Sequence, residues 1–255
     1  MSDSRIHHRR FFVPPTAIRD GQVEFAASQA HQLVHVLRLQ EGDQVSVFDG
    51  TGREVIVSLE QTSPRLATGR ILREAPGRAS LPLAITLAQV VPRGAAMDLI
   101  VAKATELGVT RIVPLEAEQS VRRASGRSPR WARIVQESAE QCGRRELAEV
   151  APMTTLAEFL PGHPPGVPLV ACHAGEGAKP LTTVCLEVGR PVSLTLLIGG
   201  EGGLRGVEVE ALRLRGARLA SLGPRLLRTE TAALTALAIL QATLGDLAAP
   251  MQVSP

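Results

Sequence analysis

"VSLTLLIGGEGGLRGVEVEALRLRGARLASLGPRLLRTETAAL", residues Val192 to Leu234, decides how this chain is read. An apolar run, "VSLTLLI", stops at a glycine cluster, and a segment of helical period, "RGVEVEALRLRG", follows. A second run, "ARLASL", stops at Gly223 and Pro224, and a second helix is expected from Thr229 to about Gly245, with Thr229 or Thr231 as its cap. Strand, loop and helix repeated in this way predict a parallel sheet with helices on its faces. Ligands of such sheets bind beyond the carboxyl ends of the strands, so both glycine loops belong to one candidate pocket.

The same rhythm reaches back to Leu81. "LAITLAQV", "TRIVPLEA" and "VPLVACHA" read as buried strands, and "AAMDLIVAKATELGV" and "RWARIVQESAEQCGR" as helices. Met97, Ile100, Val101, Ala104 and Leu107 share one face of the first helix, and Gly108 stops it. Ahead of the Pro/Gly-bearing "REAPGRASLP" the pattern is different. "DQVSVFDG" and "REVIVSLE" alternate around "TG" as a hairpin, "ATGRILRE" is a further strand, and "SQAHQLVHVLRLQEGD" is a helix with Ser28 as a possible cap. The expectation is an α/β chain of two domains: 1–74, a small β-barrel, and 75–255, the parallel sheet.

The glycine cluster fails both phosphate templates. A P-loop needs Lys and Ser/Thr after its last glycine, where Leu204 and Arg205 stand. The dinucleotide fingerprint breaks because Arg205 occupies its third glycine position. Glu201 would also repel a pyrophosphate. A glycine loop holding one carboxylate suits a cationic ligand, or one gripped through backbone groups.

Composition narrows the remaining classes. The 255 residues contain no apolar run long enough to span a membrane and no apolar stretch after the basic N-terminus that would read as a secretion signal. Cys142, Cys172 and Cys185 match no metal or disulfide spacing, and a cytoplasmic protein with free thiols is expected. His31 and His35 in "HQLVH" resemble half a zincin site. Gln32 stands where that site needs a glutamate, so no metal is expected. A net charge of +3 permits a nucleic-acid partner, and "VRRASGRSPRWAR" gathers five arginines without an acid. Aromatic residues are only 2% of the chain, leaving Phe11, Phe12 and Trp131 as candidate stacking platforms.

"IGGEGGLRGVEVEAL" followed by "LGPRLLRTETAALTALAILQ" is similar to the C-terminal signature of the SPOUT methyltransferases. With "RRFFV", "HQLVHVLRLQEGDQVSVFDGTG", "KATELGVTRIVPL" and "ESAEQCGR" in order, the whole chain resembles the bacterial RsmE family. The resemblance implies a PUA-like N-terminal RNA-binding domain and a C-terminal SPOUT domain with a trefoil knot. It also implies a homodimer, S-adenosyl-L-methionine as cofactor, and N3 of a uridine in 16S rRNA of the small ribosomal subunit as target. Carried onto this chain, cofactor contacts fall on His173, Ile198, Gly199, Gly200, Gly202, Gly203, Leu222, Gly223, Leu226, Leu227, Thr229 and Thr231. Arg228 is expected to stabilise the uracil anion, and Glu201 and Glu230 are the two candidates for proton acceptor or loop-orienting group. Arg10, Arg38, Arg122, Arg123 and Arg144 are the expected phosphate contacts. The chain departs from the family at Gly200, commonly proline, and at Gln119, where the family has arginine. A non-catalytic ribosome-assembly factor and a SPOUT enzyme with another nucleotide target are the alternatives.

Overall fold

The computed structural model describes residues 6–76, 82–116 and 128–247. They fall into two compact units, one built from 6–76 with 139–147 and the other from 82–116, 128–138 and 148–247. None of the helices among the described residues is long and apolar enough to cross a membrane.

The first unit is a six-stranded sheet in the order β1 (Ile6–Phe12), β4 (Gln44–Phe48), β5 (Glu54–Thr62), β6 (Ala67–Glu74), β3 (Gln22–Phe25), β2 (Ile18–Arg19). Only β1 and β4 pair in parallel; the other neighbours are antiparallel. Alternation along these strands sends Val45, Val47, Val55, Val57 and Leu59 into a core shared with Phe11, Phe25 and Leu33. One short helix, α1 (Ala27–His31), precedes a π-type turn at Gln32–Val36. Ala26, not Ser28, occupies the N-cap. Its N–H is taken by the Gln29 side chain, whose amide donates to the Phe12 carbonyl, so Ser28 lies inside the helix. The helix also ends well short of Gly42, because Arg38 takes a left-handed conformation (φ 54°) and breaks the spiral.

Glu54 ties this unit together. Its carboxylate accepts from Arg10 Nε at 2.8 Å and Arg145 Nε at 2.6 Å, as well as from the Ser46 hydroxyl. Arg10 also donates to the carbonyls of Ala139 and Arg144 and lies 4.6 Å over the Phe48 ring. The reading of Arg10 as a phosphate contact is therefore corrected: its guanidinium is committed inside the unit, at 14% exposure. Phe11 and Trp131 are not stacking platforms either, since both are buried. Trp131 donates its indole N–H to Asp98, 3.1 Å away.

The second unit is a seven-stranded, wholly parallel sheet in the order β11 (Lys179–Pro180), β13 (Arg218–Ser221), β10 (Leu169–Cys172), β12 (Ser193–Ile198), β7 (Ala84–Val90), β8 (Val109–Leu115), β9 (Glu149–Val150). Near-continuous apolar runs in β7, β8 and β12 match strands covered on both faces. The helices are α2 (Ala96–Glu106), α3 (Ser128–Cys142), α4 (Leu156–Phe159), α5 (Leu181–Val188), α6 (Gly206–Leu214) and α7 (Thr229–Thr243). On α2 the expected face is buried at Met97, Ile100, Val101 and Ala104, with Thr105 in place of the half-buried Leu107. Gly108 turns the chain at φ 80°. The alanine face of α7 packs close, and Gln241 donates to the Leu107 carbonyl at the end of α2.

Burial pushes the Glu54 carboxyl up, but the hydrogen bonds from Arg10 and Ser46 and the charges of Arg10 and Arg145 outweigh it and hold it below the ordinary range. A lowered folded value means this stability is present above the ordinary carboxylate pKa and is lost as pH falls through the lowered one. Glu54→Ala, which strands two half-buried arginines, should cost about 3–5 kcal/mol in denaturant unfolding. The loss should shrink in acid, where the wild type loses the same contribution.

Candidate functional site

Four parallel strands end within one residue of one another. Cα pairing places Gln89 of β7 beside Ile198 of β12, Ile198 beside Cys172 of β10, and Cys172 beside Ala220 of β13. From the ends of β10, β12 and β13 the chain enters three loops, and these wall a cavity of about 390 Å³, within the usual range of roughly 300–1,000 Å³ for ligand sites.

The middle loop closes on its own backbone. The Gly203 N–H donates to the Gly200 carbonyl at 3.0 Å, with Gly203 at φ 71°. A Cβ at Gly199 would lie 2.9 Å from the carbonyl carbon of Gly203 and 3.2 Å from the Leu204 nitrogen, so no side chain fits there. The Gly202 position is open, with nothing within 4 Å of its Cβ direction. Glu201 is exposed on the rim; its carboxylate accepts the Arg93 N–H at 3.1 Å and lies 3.7 Å from the Arg93 Nε. So exposed an ion pair contributes at most about 1 kcal/mol.

The other two walls are braced differently. His173 donates its N–H to the Ala220 carbonyl at 2.8 Å. A Cβ at Gly175 would lie 2.3 Å from His173 Nε2, so this glycine leaves room for the ring. Arg213 donates to the Glu176 carbonyl and steadies that loop. On the third wall Thr229 is 5% exposed and donates its hydroxyl to the Gly199 carbonyl at 2.6 Å. This corrects its reading as a helix cap. Arg228 holds the N-cap position of α7 with no side-chain cap, since a guanidinium cannot accept from the first helical N–H groups, and the buried hydroxyl of Thr229, one residue on, faces the glycine loop.

Most of the expected cofactor residues meet here. His173, Ile198, Gly199, Gly200, Gly202, Gly203, Leu222, Gly223, Leu226, Leu227 and Thr229 line the cavity, as does Glu201. Arg228, Glu230 and Thr231 do not; Arg228 and Thr231 are exposed and Glu230 is half-buried. Cys172, Leu204, Ala220, Arg225 and Ala232 line it without having been singled out. Cys172 and Ala220 fall inside the expected strands "VPLVACHA" and "ARLASL", but their alignment needs the register. Of the expected RNA contacts, Arg38 is exposed, Arg144 is half-buried with its carbonyl accepting from Arg10, and Arg122 and Arg123 lie outside the described residues, as does Gln119.

Chemically, leucines, Ile198 and alanines offer flat apolar walls for a ring system, and the glycine loop offers backbone groups at close range. Arg225 is the one arginine or lysine among the described residues of a lining that includes Glu201, which disfavours a polyphosphate and admits a cation. Burial pushes the Cys172 thiol up to about 12, so it stands in the cavity as a neutral group and not as a thiolate nucleophile.

The family model for an RNA methyltransferase domain matches residues 79–241, and that for an RNA methyltransferase PUA domain matches residues 26–72. The chain is similar to Ribosomal RNA small subunit methyltransferase E of Synechocystis sp., 33% identical over 95% of this chain and 80% of that protein. The protein of the same name from Bacillus subtilis is 30% identical over 82% of this chain and 85% of its own length. A crystal structure of Ribosomal RNA small subunit methyltransferase E from Neisseria gonorrhoeae, bound to S-adenosyl methionine, superposes with a TM-score of 0.85 at 30% identity. It covers 94% of this chain and 100% of that one.

The loop geometry gives a direct test on two neighbouring glycines. Gly199→Ala should destabilise the second unit by about 1–3 kcal/mol through backbone overpacking. Gly202→Ala should stay within about 0.5 kcal/mol of wild type. Calorimetric unfolding of the two variants separates them.

Proposed function

The chain belongs to the ribosomal RNA small subunit methyltransferase E family, and from that premise we propose that it methylates N3 of a uridine in 16S rRNA of the small subunit. Its activity is that of an S-adenosylmethionine-dependent rRNA methyltransferase. The observation that carries the proposal is the three-loop cavity at the level ends of β10, β12 and β13, with a glycine loop on one wall and apolar residues on the others. That lining fits an adenosyl group and an amino-acid tail held by backbone atoms, in a segment that the resemblance assigns to a trefoil knot. A homodimer working in the cytoplasm is part of the same proposal; Leu226, on the cavity wall yet 88% exposed, suits a rim that a second copy covers.

When bound, the cofactor supplies an electrophilic methyl group on a sulfonium. The protein's task is to present uracil N3 in line with it and to remove the N3 proton. Positioning of the two reactants supplies much of the barrier reduction. Arg228, at the junction of the third loop and α7, stabilises the negative charge that spreads to the uracil carbonyls as N3 loses its proton. Glu201 and Glu230 are the carboxylates that can accept that proton or orient the loop. RNA is gripped in part by the exposed Arg38 of the first unit.

Titration calorimetry should show the wild type binding S-adenosylmethionine, and small subunits lacking the modification should accept one methyl group at a uridine N3. Arg228→Ala should slow single-turnover methylation about 10²–10³-fold while leaving cofactor affinity within about twofold. An unchanged rate would remove Arg228 from the mechanism. Absence of cofactor binding by the folded wild type would favour an assembly factor. Arg38→Ala should weaken RNA binding and lower the slope of log affinity against log salt by about one contact's worth, roughly 0.7–0.9.

A further inference from the structure

Gln89 belongs to no loop of the cavity, yet it sits directly behind one. It is fully buried at the end of β7, with Ile198, the last residue before the glycine loop, as its Cα partner on β12. Its Nε2 donates to the Val90 carbonyl at 2.8 Å and to the Thr229 hydroxyl at 3.0 Å, and that hydroxyl donates to the Gly199 carbonyl at 2.6 Å.

The polarity of this relay is forced. A hydroxyl has one proton, and a carbonyl can only accept. Thr229 therefore gives its proton to Gly199 and takes the Gln89 N–H on a lone pair. The amide cannot turn over, because its oxygen would then face the Val90 carbonyl and a hydroxyl whose proton is already engaged. The result leaves Gln89 Oε1 buried with no hydrogen-bond partner among the described residues. A buried acceptor without a protein partner is unfavourable and calls for a reason. Two more contacts converge on the same loop from the same stretch of chain. A Cβ at Gly200 would lie 3.1 Å from a Val90 methyl, and the Arg93 N–H reaches the Glu201 carboxylate.

We propose that Gln89 is a positioning residue for the methyl-transfer reaction: acting through Thr229, it locks the Gly199 carbonyl and so holds the glycine loop in its cofactor-binding shape. This rests on the reading of the cavity as an S-adenosylmethionine site. The orphaned oxygen is the consequence of fixing the amide in the one orientation that serves the loop. Thr229, in turn, acts as a link between Gln89 and the loop, because its hydroxyl has both its proton and a lone pair committed.

The test measures S-adenosylmethionine affinity by calorimetry, with KM and kcat on small subunits, for Gln89→Leu, Thr229→Val, the double variant and Thr229→Ser. Each of the first two should raise the cofactor Kd and KM about tenfold, the loss of roughly one buried hydrogen bond, with kcat within about threefold. The double variant should be no worse than the weaker single, since both cut one relay, and Thr229→Ser should bind within about twofold of wild type. Wild-type affinity in a folded Gln89→Leu or Thr229→Val protein, additive losses in the double variant, or failure of serine to restore binding would overturn the relay. Should Gln89→Leu not fold, the Thr229→Val and Thr229→Ser pair decides the matter without altering residue 89. A wild type that binds no S-adenosylmethionine would instead sink the cofactor reading, and the relay's role with it. That result is distinct from a tight-binding wild type with unaffected variants.

Discussion

Everything at the candidate site depends on three parallel strands ending at the same height. Once Ile198, Cys172 and Ala220 are Cα partners in one row, the loops that follow them must leave the sheet together, and a cavity forms where they part. A shift of one residue in any of these ladders would send each side chain to the opposite face of the sheet and would stagger the loop origins. The register is held by apolar runs covered on both faces, and the buried residues of β12 are apolar apart from Thr195. The Thr229 hydroxyl then joins the loop after β12 to the start of α7.

Within that frame backbone and side chains divide the work. The loop from Ile198 to Leu204 is shaped by the absence of a side chain at Gly199 and by the left-handed Gly203, so polar atoms of the chain itself come within reach of a ligand. Apolar side chains on the flanking loops supply the flat surfaces. Charge is sparse, and what there is sits at the rim, where Glu201 is held by Arg93. A site of this kind recognises its ligand by shape and backbone polarity, and it leaves the charge of a sulfonium uncontested.

The first unit follows another rule. Its polar interior is organised by one carboxylate between two arginines, backed by Ser46 and by the Phe48 ring under Arg10. Breaking such a pair is costly because the partners left behind are uncompensated and largely out of water. The short segment 139–147 belongs to this unit through those contacts, since Arg145 is one of the two arginines and the carbonyls of Ala139 and Arg144 receive Arg10.

Periodicity and glycine placement by themselves determined the strand and helix alternation from Leu81 onward, the β character of the first unit and the loops that line the cavity. These are local properties: an apolar run of strand length, a helical repeat and a glycine cluster each declare themselves within a dozen residues. Elements whose existence depends on a neighbour escaped, among them the two-residue strands β9 and β11 and the short α4 and α5. Tertiary structure alone decided which arginines meet solvent. Arg10 and Arg38 are the same residue type, yet a glutamate 44 positions away commits the first, and a left-handed turn exposes the second. It also decided that Thr229 serves a loop carbonyl and not a helix end, and that Gln89, an unremarked polar residue in an apolar strand, stands behind that loop. Hydrogen bonds across 30 or 140 residues leave no trace in sequence spacing, because they are selected by where the completed sheet brings one donor beside one acceptor.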